Sequence, residues 1–60
     1  MTAKDKREVI NRIKYADTTL AVALDVARAD NSKDCLEWLR DVSHHISLAM
    51  QTLIEHERMK

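Results

Sequence analysis

Asn11, Lys14, Tyr15 and Thr18 stand three and four residues apart, a spacing that gathers them on one flank of an α-helix. An amide reads the edge of a base, an ammonium neutralises a phosphate, and a phenol ring offers a face for stacking. Together they suit a nucleotide. Arg7, in the charged stretch just upstream, supplies a guanidinium for the same purpose. The plainer reading of this flank is a solvated polar face with one tyrosine laid across it. His44, His45, His56 and Cys35 raise metal chemistry, but adjacent histidines on a helix point in different directions, and His45 and His56 lack the four-residue ligand spacing. No metal is therefore expected. Cys35 falls on an apolar seam, where a free thiol acts as a small hydrophobe rather than a nucleophile. With no serine–histidine–acid pattern, no paired carboxylates and no glycine-rich phosphate loop, the sequence points to binding without catalysis and to no cofactor.

These side chains need helices to hold them, and the 60-residue chain contains neither glycine nor proline to interrupt one. The one credible break is Ala29-Asp30-Asn31-Ser32, whose polar residues compete with the backbone for hydrogen bonds. Asn31 as an N-cap sets Asp34 at the third helical position, and Thr2 does the same for Asp5. Helix one is predicted over residues 3–29 and helix two over 32–58. Val9, Ile13, Ala16, Leu20, Ala23 and Ala27 recur at alternating steps of four and three, as do Cys35, Leu39, Val42, Ile46, Ala49 and Leu53. Two matching seams joined by a short turn predict an antiparallel hairpin.

The hairpin alone does not account for the apolar content. Leu20–Ala27 is apolar at seven of eight positions, more than one stripe requires. Ile10, Val22, Leu24, Val26, Leu36, Trp38, Leu48, Met50 and Ile54 also lie off the seams. A chain this short buries too little surface to be comfortable alone, and a single cysteine closes no internal disulfide. The expected fold is all-α, one domain over residues 1–60, an antiparallel two-helix hairpin assembling into a homo-oligomeric helical bundle.

Folding the hairpin also sorts its charge. The open end, residues 1–14 with 48–60, carries seven Lys and Arg against four Asp and Glu, and the turn end, residues 15–47, carries three against six. A chain of zero net charge thus becomes a protomer with a positive and a negative end. That pattern serves either to steer antiparallel assembly or to hold an anion at the open end. A lone cysteine fits a reducing compartment, and no apolar run approaches the roughly 20 residues of a membrane span.

At Ile10-Asn11-Arg12-Ile13-Lys14, at Trp38-Leu39, and at His45-Ile46 followed by Ala49-Met50-Gln51-Thr52-Leu53-Ile54, the chain resembles a family of small phage proteins. These are the cyclic-oligonucleotide sponges that blunt CBASS and Thoeris immunity. The resemblance covers about residues 9–55. It implies helical hairpins assembled into a homo-oligomer, typically a hexamer, in the host bacterial cytoplasm. It also implies pockets between protomers that hold cyclic di- or trinucleotides or cyclic ADP-ribose isomers without cleaving them. By the same correspondence Lys14 faces ligand phosphate, Asn11 belongs to the same element, and Trp38 and His45 are structural or flank the ligand. The Gly-Tyr-Arg segment of such proteins has no counterpart here, and Glu37 and Glu55 stand where they carry arginines. Tyr15 is the aromatic on hand to replace the missing one.

A second class fits the same residues. A Rop-like dimeric four-helix bundle that binds paired RNA loops would use a similar chain length, alternating small and large seam residues, and the Asn11–Tyr15 pair on helix one. A third is a pure interaction module anchored by Trp38 and Met50.

Overall fold

The computed structural model describes residues 1–59. Two helices, α1 (Ala3–Arg28) and α2 (Ser32–Arg58), pack as an antiparallel hairpin, a rod of 45 × 17 × 11 Å. Both N-caps form as the residue types require. Thr2 Oγ1 accepts from the Asp5 N–H at 3.1 Å, and Asn31 Oδ1 accepts from the Asp34 N–H at 3.2 Å, each satisfying a donor that the helix leaves open. Asn31 Nδ2 also donates to Asp34 Oδ2 at 2.9 Å. No described helix is long and apolar enough to cross a membrane.

The turn is a Schellman motif built without glycine. The Asn31 N–H donates to Val26 O at 3.2 Å and the Asp30 N–H to Ala27 O at 3.0 Å, closing the end of α1. Asp30 takes φ 61°, the left-handed conformation that glycine usually supplies there. Aspartate tolerates it better than most residues, because its short polar side chain bonds locally.

The seam between the helices is lined by small residues. Val9, Ala16, Thr19 and Ala23 of α1 and Val42 and Ala49 of α2 are buried; Arg12, Val26, Cys35, His45 and Thr52 are half-buried beside them. The Cys35 thiol donates to Ala23 O at 3.6 Å, so it is held inside the hairpin. This corrects half of the predicted seam. Its positions at every seventh residue (9, 16, 23 and 35, 42, 49) do face the partner helix. The intervening large residues do not: Ile13 is 55 % exposed, Leu20 44 %, Leu39 43 %, Ile46 40 % and Leu53 37 %, and Ala27 is exposed too. Arg12, Thr19 and Val26, and on the other helix His45 and Thr52, occupy the seam in their place.

The displaced aliphatics share one face. At 100° per residue, Ile10, Ile13, Leu20, Leu24 and Ala27 form a stripe on one flank of α1, and Leu36, Leu39, Ile46, Met50 and Leu53 form its equivalent on α2. Antiparallel packing turns the two stripes to the same side, where Ala27, Leu36 and Leu39 border a common depression beside the turn. The opposite side carries Glu8, Asn11, Tyr15 and Asp41. The hairpin is therefore apolar on one broad face and polar on the other.

Two substitutions test this account. Asp30→Gly relieves the left-handed residue and is expected to raise stability by about 1 kcal/mol. Ala23→Leu overfills the close seam and is expected to lower it by about 1–3 kcal/mol. Urea midpoints at a fixed protein concentration check both, and an unchanged midpoint for Ala23→Leu would mean that the helices do not meet there.

Candidate functional site

On the polar side, the open half of the hairpin forms a groove of about 500 Å³ lined by Lys4, Arg7, Glu8, Asn11, Arg12, Tyr15 and His45. Pockets for small organic ligands run from roughly 300 to 1,000 Å³. All but one of these residues come from three turns of α1. Steps of three and four, from Lys4 through Glu8 and Asn11 to Tyr15, keep them on one flank. α2 contributes His45 from the edge of the seam.

The floor is a chain of polar contacts. Arg12 donates through Nη1 to His45 Nδ1 at 3.1 Å and through Nε and Nη2 to Glu8 Oε1, each at 3.3 Å. A guanidinium only donates, so His45 Nδ1 accepts and its proton sits on Nε2, which is directed at Asp41 Oδ1 3.8 Å away. Tyr15 donates to Asp41 Oδ2 at 2.6 Å, and its ring lies 4.3 Å from the His45 ring at a 46° tilt. His44 meets His45 edge-on at 5.6 Å. The groove thus offers two guanidiniums and an ammonium to an anion, an amide to a base edge, and two adjoining rings to a flat ligand. Glu8 is the one carboxylate among its lining residues.

Tyr15 titrates above its ordinary value of 10.0. The hydrogen bond to the Asp41 carboxylate is the main cause, loss of water around the hydroxyl adds to it, and a hydrogen bond with Thr19 acts in the opposite direction.

The structure brings together Arg7, Asn11, Tyr15 and His45 of the residues singled out from the sequence. Lys14 and Thr18 do not line the groove. They repeat the positions of Arg7 and Asn11 one heptad on, about 10 Å along α1. Trp38, 38 % exposed, lies one heptad from His45 toward the turn and is likewise outside it. Sequence reasoning counted Lys4 and Arg12 among the cations of the open end without placing them beside Asn11 and Tyr15, and it missed the Tyr15–Asp41 bond. The four-residue pairs Glu8–Arg12 and Asp41–His45 were the available signal; joining them across the hairpin requires the register of the two helices.

A second cleft, of about 530 Å³, lies at the helix ends between Met1, Thr2, Asp5, Thr52, Glu55, His56 and Met59. It carries more carboxylates than the groove and no lysine or arginine. Among the described residues no three of His, Cys, Asp or Glu are grouped to hold a metal ion. Comparison of the chain with protein-family models, curated proteins and solved structures gives no match.

The chain has one tyrosine, so tyrosinate absorbance reports Tyr15 alone. The fold favours the neutral phenol. The Asp41 contact therefore contributes fully below pH 10.0 and is lost as pH rises through the raised value. The absorbance midpoint is expected above 10.0, and Asp41→Asn is expected to bring it down. A wild-type midpoint at the ordinary value would remove Asp41 as the acceptor.

Proposed function

We propose that this chain is a phage anti-defence sponge: it binds a cyclic nucleotide second messenger of bacterial immunity and holds it without cleaving it. The ligand class is a cyclic di- or trinucleotide or a cyclic ADP-ribose isomer, the place of action the host bacterial cytoplasm, and the working form a homo-oligomer, a hexamer by the family resemblance. The observation that carries the reading is the groove itself, where Arg7, Asn11, Arg12, Tyr15 and His45 surround a volume of ligand size. Cyclic nucleotides present phosphates, base edges and flat rings, and each has a counterpart there.

Arg12 is engaged with Glu8 along the groove. That pair is a surface ion pair four residues apart, a geometry worth about 0.3–0.5 kcal/mol, so a phosphate can replace the carboxylate at little cost. A sponge acts by stoichiometry: tight binding removes the signal from the host effector, and no bond need break.

A Rop-like dimeric RNA-binding regulator is the second reading. It is favoured by the groove's openness along the outer side of the hairpin, where an extended nucleic acid could lie.

Calorimetry of the full chain against cyclic di- and trinucleotides and cyclic ADP-ribose isomers tests the first reading, with heat expected for at least one. Arg7→Ala is expected to weaken that ligand by removing a charge-assisted contact of about 1.5–3 kcal/mol, tenfold or more in Kd. Lys14→Ala separates the groove from the family correspondence, since an equal or larger loss there would move the phosphate to the outer stripe of α1. Silence across the panel, with a saturable shift of a paired RNA loop on a gel, would replace the sponge by the regulator.

A further inference from the structure

The side chains of the apolar face, apart from Ala27, are each between 37 % and 55 % exposed. Together they present roughly 700–800 Å² per copy, the per-partner share of a standard stable interface and more than the largest apolar patch of most monomers. The chain as a whole exposes 4841 Å², against roughly 4,000 Å² for a compact monomer of 7.0 kDa. The excess is about the area of one such face.

We infer that a second copy of the chain covers this face, laid against it so that four helices enclose one aliphatic core. The direction of the heptad pattern selects this occupant. Positions 9, 13, 16, 20, 23 and 27 of α1, with 35, 39, 42, 46, 49 and 53 of α2, form a small–large repeat that departs from the pattern at Ala27, beside the turn. At 100° per residue the centre of that repeat lies about 50° away from the line joining the two helices of the hairpin. On both helices it is turned toward the apolar face. That direction is the diagonal of a square of helices, the line on which the axis of a four-helix bundle runs. One further helix or a flat partner would leave one side of the repeat uncovered; a second hairpin meets all of it, and a surface opposed to its own copy makes a closed, isologous contact.

Charge sets the orientation. The open end carries seven cations against four carboxylates and the turn end three against six. Overlaying the faces with ends reversed places each positive end on a negative one, whereas aligned ends set like on like. In the reversed arrangement Lys6, which continues the α1 stripe at the open end, meets the turn of the other copy near Asp30. Within one hairpin these two residues are about 36 Å apart along α1. The groove lies on the opposite side of each hairpin. It therefore stays open on the outside of the pair, two grooves per pair, each built from one chain.

Native mass spectrometry and sedimentation of the full chain at micromolar concentration test the pairing, whatever the groove binds. The expected mass is an even multiple of 7.0 kDa, with a Tm that rises with protein concentration. Leu39→Glu is expected to reduce the assembly to single chains or to abolish helical circular dichroism, while Val22→Glu, on the groove side, keeps the wild-type mass. Carbodiimide coupling of the wild-type chain is expected to link Lys6 to Asp30, a link too long to form within one hairpin. A helical single chain whose Tm ignores concentration, an odd-numbered assembly, or dissociation by Val22→Glu but not Leu39→Glu would overturn the pairing. Links from Lys6 confined to open-end carboxylates would overturn its orientation.

Discussion

Everything about this hairpin follows from how closely its two helices approach. The buried contacts are Val9, Ala16, Thr19 and Ala23 against Val42 and Ala49, side chains too small to hold two backbones far apart. A seam of that size cannot also take leucines and isoleucines, since crowding extra methylenes into a packed contact costs on the order of 1–3 kcal/mol. The large aliphatics are therefore displaced sideways, and the heptad rhythm sends them all to one side. A single hairpin gains little from burial: among the described residues no side chain is fully buried. The same close approach that organises the chain leaves most of its apolar surface unspent.

The other side of the hairpin is organised by polar contacts that depend on the seam for their register. Tyr15 reaches Asp41 and Arg12 reaches His45 only because α1 and α2 pass each other at this offset. Sliding one helix by a turn, about 5.4 Å, would separate both pairs at once. Partly exposed contacts of this kind add little to stability. Their contribution is to distinguish one alignment from others that smooth small-residue seams would tolerate almost equally, the specifying role polar groups play in other helical assemblies. The groove is the visible result, with Arg12 and His45 as its floor and Tyr15 as its wall.

The sequence made the local features plain and left the long-range ones ambiguous. Helix bounds came within a residue of the structure because Thr2, Asn31 and the Ala29–Ser32 break act through neighbours a few positions away. The antiparallel hairpin followed from the short turn. The seam was half legible. A heptad pattern identifies the small residues at every seventh position, but a large apolar residue beside them could face the near helix or a further one. Ile13 and Arg12, or Ile46 and His45, are 100° apart on the same turn, and hydrophobicity alone favours the isoleucines. What decides for Arg12 and His45 is that each has a partner across the hairpin, information carried by α2 for α1 and by α1 for α2. Of the candidate site, the α1 flank could be seen in the spacing of Asn11 and Tyr15, while its completion by His45 and its exclusion of Thr18 needed the three-dimensional register.

The two-sided character of the hairpin bears on how a ligand site can be completed. An anion bound at an open groove keeps water on one side, and the attraction of a guanidinium is then weakened by the high dielectric around it. Tight sequestration of a small signal calls for enclosure, and the groove of one hairpin does not supply it. Enclosure would come from a further protomer closing over the polar side, where Trp38 is also solvent-exposed outside the apolar face. An extended nucleic acid places no such demand, because its many phosphates each add a modest contact along an open surface. What separates the two functional readings is therefore less the identity of the groove residues, which suit both, than whether anything covers them once the apolar faces are joined.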